Sequence, residues 1–408
     1  MAIPVPQVEV GFDVAGPSAP VFTLDSATKG VLDSPTYVLG GQIFYDVTDK
    51  VKSVAVRRGK NRQLDQYDAG LANVVFDNND RTFDPTYVNS PYYGQIIPKR
   101  AIRISSGGER IFTGVIDDWN LNYDPGGYSE ASAASSDAFT LFNTQTMPAG
   151  TATVQTSGER IEAVLNLPDV DWSIGDRTIA IGKTEIGADV YPEDGNVLDY
   201  LRTVALSEPG ELFIGANGHV TFTDRDAAPS AVGEVVLADD GTGISYQGMK
   251  VVYGSELLYN EIVLGSQLAG TVVAQDLGSI AEYGVLNLTQ LGLLMNDPTY
   301  VQNLALFYAN KYSTPEYRFE SVEVIVDELS PTDQAKILGL EISDFVTIKF
   351  TPNGIAPAIE KPAKVIRIDH DITPTTHVVS LGFATLDYFL LVLDDTEFGK
   401  LDRGALAF

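Results

Sequence analysis

The run "FDNNDRTFDP", residues 76 to 85, packs three aspartates and two asparagines around a single arginine. Such a run could hold calcium, supply a catalytic carboxylate pair or close a turn. An EF-hand loop needs oxygen ligands at its positions 1, 3 and 5, glycine at 6 and a bidentate glutamate at 12. Counted from Asp77, those later positions are Arg81, Thr82 and Val88, and Arg81 would repel the ion. Glycosidases need two carboxylates held in a cleft, one with a raised pKa. With 55 acidic residues in the chain, the pairing of Asp77 with Asp80 or Asp84 carries no information. The turn reading is the economical one, because Asp and Asn side chains bond their own backbone and tolerate left-handed conformations.

The three histidines are His219, His370 and His377. His370 shares a strand face with Ile366, Ile368 and Ile372, which makes it a core histidine. A turn at Thr373 to Thr376 would place Ile372, not His370, opposite His377, and no third zinc ligand is marked. There is no Gly-x-Ser-x-Gly elbow, Walker loop or dinucleotide fingerprint. The expectation is therefore no catalytic residue, no metal and no cofactor. Two groups suit protein contacts instead. The loop 85 to 98 carries Tyr87, Tyr92 and Tyr93, and tyrosine is enriched at interfaces. Arg57 and Arg58, with Lys60 and Arg62, form the densest basic patch and could meet an acidic surface across subunits.

Composition narrows the classes further. The 408 residues include 27 basic and 55 acidic ones, a net charge of −28 that repels phosphate backbones and argues against specific nucleic-acid binding. Simple solubility accounts for such a charge on its own, and it would also suit a wall past which DNA slides. No cysteine is present, so disulfides and thiolate chemistry are excluded. The first residues, "MAIPVPQVEVGFDVAG", lack a signal-peptide pattern, and "YFLLVL" at 388 to 393 is too short to span a bilayer, so no membrane insertion is expected.

The elements that position these groups are mainly strands. Residues 1–41, rich in Pro, Gly, Ser and Thr, read as an extended N-terminal arm. Residues 42–134 read as a first β domain, with Ala72, Val74 and Phe76 on one face and a hairpin turning at Ser106-Gly107-Gly108. Residues 135–240 read as a small α+β insert. Thr156 with Glu159 makes a capping box, Asn196 caps a second helix, and Asn217-Gly218 turns a hairpin. Residues 241–393 read as a second β domain carrying one helix, capped by Asp297 with Pro298 at its first position. Residues 394–408 form a C-terminal tail. "FTLDSATKGVLD" (22 to 33) and "LVLDDTEFGKLD" (391 to 402) echo one another across this body.

Several motifs together resemble a known family. They are Arg58-Gly59, Gly70 to Asn78, Phe83-Asp84-Pro85, Ser90-Pro91-Tyr92, Pro98 and Phe112 to Ile116. In this order they resemble the N-terminal portion of tail-hub type minor tail proteins of long-tailed, siphovirus-like bacteriophages. Lys99 departs from the pattern, where glycine often follows the proline. "VVYGSELLYNEIVLGS" and "VIRIDHDITPTTHVVSLGF" resemble the second β domain of such hubs, and "LDDTEFGKLD" resembles the end of minor tail proteins of actinobacterial phages.

The resemblance implies two tail-tube-like β-barrel or sandwich domains per chain, so that a homotrimer presents a pseudo-sixfold ring to a hexameric tube. It implies a virion structural protein of the tail tip, made in the host cytoplasm and lining the DNA exit channel. The tail tube or distal tail protein would lie above it, other minor tail proteins or fibres below, and the tape measure protein in the lumen. The competing expectations are a hexameric distal tail ring, an adhesion component, and a wall- or glycan-cleaving tail enzyme. A carbohydrate-binding module would have only Tyr92 and Tyr93 as a platform.

Overall fold

The computed structural model describes residues 4, 6–12, 43–170, 172–192, 195–225 and 235–385, with the pairs 389–390 and 404–405. Alternation of apolar residues sets its main element, a 13-stranded sheet. Its first half is built from Val51–Gly59, Asp68–Asp77, Ala101–Ser106, Glu109–Asp124 and Tyr128–Ser136. Along Asp68–Asp77 the inward positions are Gly70, Ala72, Val74 and Phe76, as the period-two pattern requires. Gly107 and Gly108 close the Ala101–Ser106 hairpin with φ of +59° and +91°, the two positive angles that a tight hairpin turn needs.

The second half consists of Gly248–Gly254, Glu316–Ile325, Phe345–Phe350, Ile359–Ile372 and His377–Thr385, with Val236–Ala238 beside Phe345–Phe350. The two halves are not separate. Ile359–Ile372 pairs antiparallel with Val51–Gly59, from Arg367 opposite Gly59 to Ile372 opposite Val54. Gly59 is what lets the strands meet. Its φ is +115°, and a Cβ there would lie 2.2 Å from the Ile366 carbonyl oxygen. That same oxygen accepts a hydrogen bond from Lys60 N at 2.9 Å. Two β units are present as expected, in a mainly β fold, but they share one open sheet. No closed barrel forms among the described residues, because edges that closure would consume pair with each other instead.

Two stretches depart from the expected domains. Pro6–Phe12, assigned to the arm, is a strand paired with both Ile43–Asp46 and Ala101–Ser106. Val8, Val10 and Phe12 are fully buried in the first core, an alternation that the surrounding prolines and glycines obscure. The terminal echo at 22–33 and 391–402 lies outside the described residues.

Residues 257–313, expected inside the second β domain, form a lobe of their own. Gly270–Gln275, Glu261–Ser266 and Asn287–Leu293 make a three-stranded sheet. The helix Pro298–Tyr312 covers it through Val301, Leu304, Ala305 and Tyr308. Strand patterns reveal that strands exist but not which sheet they join.

The α+β insert expected at 135–240 is the first lobe, with 257–313 the second, and it follows its helix signals. Thr156 and Glu159 make the reciprocal capping box on Ser157–Leu165, and Asn196 caps Val197–Ser207. The helices pack with the hairpin Glu211–Ile214 and Val220–Thr223 around Phe139, Phe142, Ile161 and Leu201. The lobes touch where Leu294 N donates to Ser207 Oγ at 2.9 Å. No helix among the described residues is long and apolar enough to cross a membrane.

Candidate functional site

The carboxylates of the opening run are occupied by the turn itself. Asn78 is buried, and its Oδ1 accepts from Phe83 N at 2.8 Å. Asp80 Oδ1 accepts from the amide and hydroxyl of Thr82. Asp84 Oδ1 accepts from Thr86 N and Oγ1, while Oδ2 accepts from Arg81 Nε at 2.8 Å and Tyr123 Oη at 3.0 Å. Burial pushes the Asp84 carboxyl up, but the donors of Thr86, Arg81 and Tyr123 outweigh it and hold the pKa far below the usual carboxylate range. Arg81 itself takes a φ of +61° to make this turn. Both oxygens of Asp84 are thus engaged in structure, with neither free to act as acid or nucleophile.

The five expected interface residues fall in two places. Tyr92 stacks on Phe12 at 4.2 Å between ring centroids and lies against Tyr45 and Phe83, so it anchors its loop to its own core. Tyr87 lies under the Arg81 guanidinium at 4.7 Å, and Tyr93 stays exposed. Arg57 and Arg58 sit instead on the strand at the seam between the β units. Arg57 points outward and donates to Asn61. Arg58 is buried, which removes it from the outer basic patch.

The partner of buried Arg58 is a half-exposed glutamate far along the chain. Glu341 Oε1 accepts from Arg58 Nη1 at 2.7 Å and from Ile342 N at 2.8 Å, and its Oε2 accepts from Ala216 N at 2.7 Å. One carboxylate therefore ties a sheet strand, the hairpin of the first lobe and the loop before Phe345–Phe350. Glu211 acts in the same way from the lobe side. It meets Lys364 Nζ at 2.6 Å and Lys60 Nζ at 3.6 Å, one from each β unit, and accepts from Ser343 Oγ at 2.7 Å. Burial pushes the Glu211 carboxyl up, yet Lys364 and Lys60 outweigh it and bring it down to about 2. Burial in turn pushes the Lys60 ammonium down. Lys60 also lies over the Tyr67 ring at 4.5 Å.

The histidines complete this seam. Ile372 does oppose His377 in the strand register. The rings still meet diagonally, His370 Nδ1 lying 3.1 Å from His377 Nε2, with Ser106 Oγ 3.3 Å from His377 Nδ1. His219 lies apart, near Thr178 on the first lobe. Among the described residues no group of three or more His, Asp or Glu is placed to hold a metal ion. Sequence reasoning missed Glu211, Glu341 and Lys364. Arg58 and Glu341 are 283 positions apart, and no spacing pattern survives that distance. The site's chemistry is charge neutralisation that fixes how the lobe and the two β units sit together. Beside it opens a cavity of about 490 Å³.

No protein-family model matches the sequence, and no curated protein does. The fold, in contrast, has counterparts. The 43 kDa tail protein of prophage MuSo2 from Shewanella oneidensis superposes with a TM-score of 0.56 at 13% identity, over 85% of this chain and 96% of that one. A tail protein from Neisseria meningitidis MC58 gives 0.57 at 11% identity, over 93% and 96%. The E. coli c3393 protein, a type VI secretion component described as similar to the T4 tail proteins gp27 and gp5, gives 0.50 at 10% identity, over 83% and 74%. The chain has the fold of phage tail proteins.

Proposed function

We propose that this chain is a structural, non-catalytic component of a phage tail tip, a hub that joins the tail tube to the fibres or spike. Three copies would form a ring in which six β units face the hexameric tube, with the DNA exit channel inside. The observation that carries this reading is the seam: two β units of one chain are already joined edge to edge by antiparallel pairing. Repeating that join between chains extends the same sheet around a ring.

Further support comes from the ends of the sheet. Among the described strands, Gly248–Gly254 ends it on one side and Ile43–Asp46 on the other, with Tyr253 strongly exposed on the first. The net charge of −28 suits a wall that DNA passes without binding. The fold's counterparts, with their tail and secretion-component descriptions, support the same role. The subtype, a minor tail protein of a siphovirus-like actinobacterial phage, rests on the sequence motifs. So do the neighbours: distal tail protein above, fibres below, tape measure protein in the lumen.

Imaging tails assembled from a chain bearing a compact affinity label tests the role. The expected result is label at one end of each tube only. Label repeated along the tube would overturn the reading.

A further inference from the structure

Lys60 stands where the seam meets the cavity. Its side chain is only 8% exposed, and it shares one carboxylate with a second lysine. The sharing is unequal. Glu211 meets Lys364 Nζ at 2.6 Å and accepts from Ser343 Oγ at 2.7 Å, whereas Lys60 Nζ stands 3.6 Å off, too far for a hydrogen bond. Two ammoniums set against one buried carboxylate disfavour each other, and burial penalises the one held less closely. Burial is the largest influence on Lys60 and lowers its pKa from the ordinary 10.5; Lys364 adds to that, while the carboxylates of Glu211 and Asp65 oppose it. The Tyr67 ring beneath its Nζ opposes it too. The balance leaves Lys60 with more of its neutral amine than an exposed lysine holds.

A neutral amine is a nucleophile, and a lysine desolvated beside a second cation is a recurrent way of making one. There is room beside it for something to attack. The cavity's volume of about 490 Å³ suits a small organic molecule, and its wall includes Leu206 and Leu212 of the first lobe with Leu304 and Phe307 of the second. We propose that Lys60 is a reactive lysine, at which this cavity takes up a small aldehyde or ketone with an apolar body as an imine. The amine nitrogen adds to the carbonyl carbon, the carbonyl oxygen departs as water with the two amine protons, and a carbon–nitrogen double bond remains. The step needs no oxidant or reductant. It is separate from the tail-tip role, and its test reads where a label sits rather than what the chain assembles into.

The full chain is treated with limiting benzaldehyde and sodium cyanoborohydride, which reduces each imine to a stable secondary amine, and the labelled lysines are located by peptide mass mapping. Lys60 should take label several-fold faster than Lys99 and Lys250, although their side chains are 55% and 65% exposed. A lowered pKa means neutral amine at lower pH, so the advantage should be widest near neutrality. It should shrink as pH rises towards 10.5, where exposed lysines lose their protons as well. A second variant separates entry through the cavity from entry by unfolding. Asn303 is an exposed residue of the cavity wall on Pro298–Tyr312, and Asn303→Trp adds bulk there without touching the seam. It should slow labelling of Lys60 several-fold and leave Lys99 and Lys250 unchanged. Lys60 labelled no faster than the exposed lysines, label on Lys364 in its place, or a Lys60 rate indifferent to Asn303→Trp would overturn the proposal.

Discussion

Arg160 in the first lobe and Arg58 at the seam are both buried guanidiniums, and they are neutralised in opposite ways. Arg160, fully buried, donates from Nε to Gln155, from Nη1 to Asp189 at 2.7 Å and Tyr200 at 2.8 Å, and from Nη2 to the carbonyls of Thr153 and Gly187. All its partners lie within one lobe. Arg58 has its ion pair with Glu341, 283 residues away, and its Nε has no partner. The lobe therefore carries its own order, whereas the seam is ordered only once distant segments arrive. A buried pair is weak evidence for net stability but costly to break from one side. The seam is thus where the relation between the two β units is decided.

The comparison can be broken from the lobe side first. Arg160→Ala would take the cation from Asp189, which keeps only the Tyr200 hydroxyl of this cluster as donor, and should cost about 3–5 kcal/mol, read as a shifted urea midpoint. From the seam side, Gly59→Ala forces a side chain into a φ of +115° and against the Ile366 carbonyl. It should cost about 3 kcal/mol or less. The informative readout there is a changed mass or shape of the assembly, because the strand that joins the β units is displaced, while the first lobe keeps its helical signal.

The histidines sharpen the contrast through pH. Burial pushes His370 well below its ordinary value, with His377 and Arg58 adding to the effect. Burial brings His377 down to about 4, against the opposing pull of Asp327. Both are thus neutral in the fold. The stability they contribute is complete above about pH 6.5 and is lost as pH falls through their folded pKa values. Between pH 7 and 4 His377 alone should account for roughly 2–3 kcal/mol, at about 1.4 kcal/mol per pH unit. Urea midpoints measured across that range should fall in the native chain and fall less in His377→Gln. Equal slopes in the two would remove the histidines from the account.

What could be read from the sequence acts over a few residues. Thr156 with Glu159, Asp297 before Pro298, Gly107-Gly108 and the Thr373 to Thr376 turn all form the expected caps and turns. The opening run, "FDNNDRTFDP", is likewise a turn whose acids bond nearby donors. The Arg58-Gly59 motif was visible, but not its cause, since the Ile366 carbonyl that demands glycine lies about 300 residues further on. The separate sheet of residues 257–313 and the insertion of Pro6–Phe12 were hidden for the same reason: partner choice among strands is tertiary. Glu211 and Glu341 carried no local mark at all. The register of Ile372 with His377 followed from turn length, yet the diagonal contact of the two rings did not.

In the proposed tail-tip role, two β units fused at the seam of each chain would let three chains form a ring of six. Native mass measurement of the purified chain, with image averaging of the same particles, tests it most directly. Three copies and threefold symmetry, with six similar β units around a channel, are the expected result. A ring of six chains, or a chain that stays monomeric at every concentration and in the assembled tail, would contradict it.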